Sequence, residues 1–422
     1  MRTRVAELTQ RRKDAKTQGA ERFRPFAPLR LCAFALKCLP LLALLLAGCA
    51  TAPPPVPLTG DIFRDAPASI EKGPPRDKLL WQYRLALAQM RRGQFDDARR
   101  VLDDALLTLG GLYGKDAEGR KSRRLFQQEA KKTFIGEPYE RAMAYFYRGI
   151  LYWRDGEMDN ARACFRSAEF EDSDAESGEY KCDYTLLDYL DGFATTKLAG
   201  DGGDAFKRAE KNAKGAKPPP YDTKVNTLVF LDFGPGPTKY GAGQYGEELR
   251  FRTRSSPVQS AQVQLDGKIM NLLPADDLNF QATTRGGRVM DHVLANKAVF
   301  KKTANTVGDV AIISGAILAN NGGRRSNNDE IGAGLMIAGL LSKIASAATT
   351  PEADVRCWEK LPQFLALGQF KLSPGEHSAM VNFLNAAGAA ESKFTKHITF
   401  TVPEGRDAVI YVSDQSSTPQ TQ

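Results

Sequence analysis

The side chains that could do chemistry are few and scattered. His292, His377 and His397 stand far apart. No H-E-x-x-H helix brings two imidazoles one turn apart and no C-x-x-C pair occurs, so the sequence offers neither a zinc site nor a dithiol redox site. The glycine-rich stretch Gly234 to Gly243 carries Lys239, the composition of a phosphate-cradling loop. Such loops hold anions on successive backbone N–H groups ahead of a helix, however, and Pro235 and Pro237 have no N–H to give. No G-x-S-x-G elbow is present. The many Asp and Glu residues could supply a carboxylate pair for glycan cleavage, but their spacing puts most of them on the solvent faces of helices. The expectation is a protein without catalytic residues, cofactor or metal.

One cysteine has a definite chemistry. Ten basic residues between Arg2 and Lys37 precede the apolar run Leu39 to Leu46, and the small residues Ala47 and Gly48 stand directly before Cys49. That is the layout of a secretory leader, and the run is too short for the ~20 residues a spanning helix needs. Leu46-Ala47-Gly48-Cys49 resembles a bacterial lipobox. The resemblance implies cleavage between Gly48 and Cys49, a diacylglyceryl thioether on Cys49 and acylation of the new amino terminus, with palmitate among the fatty acids. Ala50 in place of Asp favours sorting to the outer membrane, facing the periplasm, although an inner-membrane location stays open.

The leader also explains the charge. The chain carries 58 Lys and Arg against 50 Asp and Glu, but ten of the basic and three of the acidic residues lie in 1–48, leaving 48 against 47. No basic surface for nucleic acid follows from a pI near 9.0. Cys164, Cys182 and Cys357 remain after Cys32, Cys38 and Cys49 are accounted for. An odd number permits a Cys164–Cys182 bridge with one spare thiol, or three buried thiols.

The elements behind these residues fall into two groups. After a Pro-rich tether over 49–76, helical periodicity runs through 77–214. Leu80, Tyr83, Leu87 and Met90 form one stripe, followed by Gly93 and a second helix carrying Ala98, Leu102 and Ala105. The pattern returns with Tyr139, Met143, Phe146, Ile150 and Trp153, then Gly156, then Ala161, Cys164, Phe165 and Ala168. A third pair is expected between Cys182 and Ala213, and a further helix around 122–133. Residues 215–223, rich in Pro and Gly, mark a boundary. Short β-branched runs over 224–414 then predict an antiparallel β domain, with Asp266-Gly267 signalling a type I′ hairpin. It is interrupted at about 287–350 by an apolar helical hairpin, Val307–Ala348, packed on the β domain. Residues 415–422 are expected to be a disordered tail.

Gly93-Gln-Phe-Asp-Asp-Ala98-Arg and Gly156-Glu-Met-Asp-Asn-Ala161-Arg align residue for residue. The second unit resembles a tetratricopeptide repeat, Gly149 and Tyr152 matching its small and aromatic positions and Ala161, Phe165 and Ala168 its small–large–small set. Gly149 and Ala161 leave room for the helix crossing, which Phe165 fills. The fold class expected is therefore multidomain α + β, a tetratricopeptide-like domain followed by the interrupted β domain. The lipobox, Glu137-Pro-Tyr-Glu-Arg141, Gly234-Pro-Gly-Pro-Thr-Lys239 and the motif Asp354, Arg356, Trp358, Leu361, Pro362 are together similar to a family of uncharacterised bacterial repeat-containing lipoproteins. That resemblance implies a periplasm-facing lipoprotein without an assigned task. Asp354, Arg356 and Trp358 are read as a packed corner where the hairpin rejoins the sheet. The function expected is a scaffold or adaptor of the envelope, binding a protein partner on the concave side of the repeats through Arg84, Tyr145, Arg148 and Tyr152. Two alternatives are a membrane-contacting or pore-type accessory subunit using residues 307–348, and a cell-wall-active enzyme. The oligomeric state is left open.

Overall fold

Thr227 to Phe233 is apolar on both of its alternating faces apart from Asp232, and such a strand is stable only when it is covered from both sides. The computed structural model of the chain, which describes residues 56–112, 133–173, 181–214, 217–283 and 352–422, places it in that position. β1 (Thr227–Pro235) turns Leu228 and Phe230 toward the helices, and Val229, Leu231 and Phe233 toward a second sheet. The leader with Gly48 and Cys49, the expected helix at 122–132 and the apolar hairpin at 287–350 lie outside the described residues.

The helices precede the strand. They are α1 (Ile62–Lys72), α2 (Lys78–Arg91), α3 (Phe95–Leu112), α4 (Pro138–Arg154), α5 (Met158–Asp172), α6 (Thr185–Lys197) and α7 (Gly203–Asn212). From α2 onward they pack as successive pairs. Gly93 and Gly156, at φ +74° and +85°, make the reversals inside the first two pairs, a left-handed conformation that costs glycine little. α4 starts at Pro138 with a capping box between Glu137 and Glu140. A Cβ on Gly149 would stand 2.6 Å from Phe165 Cε1, so close approach of α4 and α5 depends on that glycine. Phe165 is fully buried in the gap. Among the described residues no helix is long and apolar enough to cross a membrane.

Beyond β1 come β2 (Thr238–Ala242), β3 (Glu248–Arg252), β4 (Ser260–Leu265), β5 (Lys268–Leu272), β6 (Asp276–Asp277), a short helix α8 (Leu278–Thr283), then β7 (Pro362–Phe370), β8 (Gly375–Leu384), β9 (Lys396–Val402), β10 (Ala408–Ser413) and β11 (Gln420–Thr421). The inner sheet has the order β10-β1-β7-β6 and the outer sheet β11-β9-β8-β4-β5, with β2-β3 a separate ribbon. Asp266 and Gly267 both have positive φ between β4 and β5, the geometry of the expected I′ turn. The result is a mixed fold in three layers, with helices on one face of the inner sheet and the outer sheet on the other. α2 and α4 pack on β10, and α6 on β7, so helices and inner sheet share one hydrophobic core.

Two expectations change. The β region is not wholly antiparallel: β10 runs parallel to β1, Thr227 beside Ala408 through Asp232 beside Ser413, while β7 is antiparallel to β1. β9 ends in the outer sheet, and the turn 403–407 carries the chain across to the edge of the inner one. That crossing frees β10 from the hairpin direction, and every β10 residue is buried. Residues 415–422 are ordered: β11 pairs parallel with β9, and Ser416 and Gln420 are buried. Ser417 N–H and the Gln420 amide both donate to Arg91 O. The polar tail thus satisfies a carbonyl that the end of α2 leaves without a helical donor.

Candidate functional site

Of the four residues expected to contact a partner, Tyr145, Arg148 and Tyr152 stand at i, i+3 and i+7 on one stripe of α4, and Arg84 stands on α2. Arg148 is buried, donates to Asp103 of α3 through Nε at 2.6 Å and Nη2 at 3.3 Å, and lies 3.3 Å from the ring centroid of half-buried Tyr152. Those two residues are together, locking α3 to α4. Arg84 is apart from them and reaches Glu359 at 2.8 Å and Cys357 O at 3.1 Å. Tyr145, one turn before Arg148 on the same stripe, is half-buried, and burial pushes its phenol up to about 12. The first helix of each pair faces the protein's own sheet: Tyr147 OH donates to Asp232 at 2.7 Å, and the Gln369 amide donates to Tyr189 OH at 2.9 Å.

The Asp354–Trp358 motif forms a corner against the helices. Trp358 is fully buried and stacks on Tyr83 at 4.8 Å. Its N–H donates to Glu140 Oε1 at 2.6 Å. Arg356 joins Asp354 and Asp77 at 2.6 and 2.5 Å. Lys239 is almost wholly buried, paired with Glu140 and with Glu137 at 3.8 Å, and donates to Arg356 O at 3.0 Å. The lysine of the glycine-rich loop is therefore engaged by the carboxylates of the helix start and the corner. Cys164, Cys182 and Cys357 are free thiols, and Cys182 Sγ donates to Glu169 O at 3.2 Å.

Two arrangements remain that the sequence did not reveal. The first is a cleft of about 540 Å³ where the α4–α5 turn meets β10 and the 403–407 turn. Its wall is fixed: Asp407 accepts from Lys197 Nζ at 2.6 Å and from Trp153 Nε1 at 2.9 Å, and Arg99 pairs with Asp155 at 3.1 Å. Two cations stay uncommitted. Arg154 packs its guanidinium over Phe95 at 4.5 Å, and burial lowers its pKa, the effect of Asp155 being smaller. Arg406 is exposed across from it, beside Gly156. Neither has an ion-pair partner among the described residues.

The second is a group of carboxyls between α5, α6 and β6. Asp276 is buried and accepts from Thr185 N–H and Leu186 N–H, both at 2.8 Å, capping α6 from a distant strand. Burial pushes it up to about 7 despite those two donors. Asp188 is pushed up to about 6 by burial, with Arg208 at 2.7 Å opposing the rise. Burial also raises the Glu169 carboxyl well above the carboxylate range, reinforced by Asp188, Asp172, Asp276 and Asp183. Such a group stores protons. Among the described residues no cluster has the geometry to hold a metal ion.

The expectation that the acids lie on solvent faces fails here because α6 is buried from Thr185 to Ala194. A signal was present: the acidic positions Asp188 and Asp191 interrupt a helix with apolar residues all round, which marks a helix without a solvent face. Comparison with family models, with curated proteins and with solved structures finds no match.

Proposed function

We propose that this chain is a lipid-anchored adaptor of the cell envelope, held at the outer membrane by acylated Cys49, facing the periplasm, and working by binding a protein partner rather than by catalysis. The leader and lipobox support the anchor, and 49–57 supply a stiff Pro-rich spacer that would hold the folded part off the lipid. The tetratricopeptide-like helix pairs support a binding role. The observation that carries the reading of the site is the cleft between the α4–α5 turn and β10, with Arg154 and Arg406 uncommitted in it. The first-helix face is covered by β1, β7 and β10, so the contact surface we assign is that cleft. Arg84 and Arg148 are taken up by contacts within the fold, with Glu359 and with Asp103.

Two measurements test this. Cys49→Ser should abolish fatty-acid labelling and release the protein from membranes, because two or three chains at ~0.8 kcal/mol per buried CH₂ provide the anchor. In-cell crosslinking through a photoreactive residue at Thr401, an exposed position of the cleft wall that leaves both arginines in place, should capture an envelope protein that the same residue at the exposed position Lys207 does not. Unchanged membrane fractionation of the Cys49 variant removes the anchor from the proposal. Identical crosslinking from both positions removes the cleft.

A further inference from the structure

β10 is an edge strand of the inner sheet, with β1 on one side only. Successive residues of a strand direct their N–H and C=O groups to opposite sides. Ala408 N–H donates to Asn226 O, so Ala408, Ile410 and Val412 turn inward, while Val409, Tyr411 and Ser413 turn to the free edge. The outward groups of Tyr411 are satisfied in an unusual way. Its N–H donates to Gln422 Oε1 at 3.0 Å, and its C=O accepts from Gln422 Nε2 at 2.7 Å. The Gln422 side-chain amide thus makes the pair of bonds that a neighbouring strand would make. Ser413 N–H is met by Ser416 Oγ at 2.9 Å. Val409, one step before Tyr411, lines the cleft with no partner for its outward N–H and C=O among the described residues.

We infer that the cleft binds an extended, acidic peptide segment, which adds to the β10 edge by backbone hydrogen bonds to Val409 and places a carboxylate between Arg154 and Arg406. The Gln422 amide is the internal precedent: the edge already accepts an amide in strand register, and a peptide bond one step along repeats the same donor–acceptor pair. Charge selects the side chain. Burial disfavours the charged form of Arg154 more than Asp155 and Asp96 favour it, and Arg406 adds to the cost, so an anion between the two arginines offsets it while making charge-assisted hydrogen bonds. The carboxylates already present do not fill this role, since Asp407 is taken by Lys197 and Trp153, and Asp155 by Arg99. The Glu157 carboxylate, also on the cleft wall, accepts from Asn160 at 2.6 Å. A cleft of about 540 Å³ lies within the ordinary range for a bound small ligand or short peptide. Backbone pairing supplies affinity that does not depend on sequence, and the arginines supply the preference for acidic segments.

This inference rests on the adaptor reading and names the chemistry of its partner. The test uses the full chain in detergent and a fluorescein-labelled tetrapeptide alternating valine and glutamate, followed by fluorescence anisotropy. Saturable binding is expected, weakened about tenfold by Arg406→Gln. The valine–glutamine counterpart should bind about as weakly to the unaltered protein, and Arg406→Gln should not change it. N-methylation of the peptide's backbone amides should abolish binding, because it removes the donors to the Val409 edge. Arg154→Gln should reproduce the Arg406 effect, with an unchanged circular dichroism spectrum as evidence that α4 is intact. The inference is overturned by absence of binding at millimolar peptide, by equal binding of the glutamate and glutamine peptides, or by binding that survives N-methylation. Peptide binding without any envelope partner captured from Thr401 leaves the cleft chemistry standing and sinks the adaptor role. Partner capture without peptide binding does the reverse.

Discussion

The charged cluster beneath the Asp354–Trp358 corner and the carboxyl cluster between α5, α6 and β6 are both largely shut away from water, yet the first has its cations at its centre and the second has Arg208 at its rim. In the corner, Lys239 lies between Glu140 and Glu137, and Arg356 between Asp354 and Asp77. Burial alone would lower the Lys239 pKa, but Glu140 and Glu137 outweigh it and raise the lysine above its ordinary value. In the carboxyl cluster, Glu169, Asp188 and Asp276 meet mainly one another and two aspartates, with Arg208 at the rim, 49% exposed. Burial wins there and all three acids rise. The corner pairs opposite charges, whereas in the carboxyl cluster burial favours the protonated acids.

The sharpest way to break that contrast is to remove the countercharge from the corner. Lys239→Met leaves Glu140 buried without its cation and should destabilise the fold by about 3–5 kcal/mol, the usual cost of breaking a buried pair from one side. Urea denaturation monitored by tryptophan fluorescence measures it, since Trp358 stacks in the same corner. The double variant Lys239→Met, Glu140→Gln should recover part of the loss. A double variant no better than the single one would mean that packing of the lysine stem, rather than charge, holds the corner.

The second prediction concerns pH. A carboxyl whose folded pKa lies above its unfolded value stabilises the fold fully below the unfolded pKa and loses that contribution as pH rises through the folded one. Asp276, at about 7 in the fold against 3.8, and Asp188, at about 6, therefore make the protein lose stability between roughly pH 4 and pH 7. The slope is about 1.4 kcal/mol per pH unit for each proton that must leave. The groups facing Asp276 are Asp183 and Asp188, both of which raise it, and the two α6 N–H donors, which lower it. Asp276→Asn should cost about 1 kcal/mol at pH 5 by weakening the cap and should flatten the fall toward pH 8. Thermal melts across that range decide it: an unchanged slope in the variant would show that Asp276 ionises without penalty.

Much of this architecture was legible before any coordinates. Gly93 and Gly156 mark the helix reversals, Gly149 and Phe165 the close crossing, and Asp266-Gly267 the hairpin, because each requirement is local and only a few residue types meet it. The β runs were legible from β-branched and aromatic content for the same reason. The parallel partnership of β1 and β10 was not, since it joins residues some 180 positions apart and no turn residue encodes it. Nor was the order of 415–422, where polar composition suggested solvent while the amides serve the Arg91 carbonyl. The cleft was missed on the same grounds: Arg154 follows an apolar stripe and Arg406 sits in a turn, and only the fold brings them together. Asp232 could have been noticed, as a lone acid in the apolar run Thr227–Phe233 wants buried donors. Tyr147 and Tyr411 supply them at 2.7 and 2.6 Å.

A smaller effect is expected at the edge of the carboxyl cluster. Arg208→Gln removes the nearest cation, so Asp188 should rise further and the loss of stability should extend to higher pH. The change at neutral pH should stay below about 1 kcal/mol, because a half-exposed pair is screened by solvent. Added salt should weaken the unaltered protein slightly and the variant less. A salt response identical in the two proteins would place Arg208 outside the electrostatics of the cluster.

The smallest change in stability should come from the substitution that looks, on paper, the same as one in the corner. Glu140→Gln and Glu169→Gln each replace a buried carboxyl by an amide of equal shape. Glu140 is bound by Lys239, by Trp358 N–H and by Glu137 N–H, and the neutral amide cannot hold the lysine, so a loss of several kcal/mol is expected. The Glu169 oxygens have no hydrogen-bond donor among the described residues, and the group is 9% exposed. Burial and the neighbouring acids raise its pKa and so favour the neutral form, which an amide there imitates. Glu169→Gln should therefore lie within about 0.5 kcal/mol of the unaltered protein at pH 6 and should gain on it as pH rises, because the acid ionises against its burial and the amide does not. A large loss at pH 6 would mean that Glu169 is charged and paired in the fold, and the contrast between the two clusters would disappear.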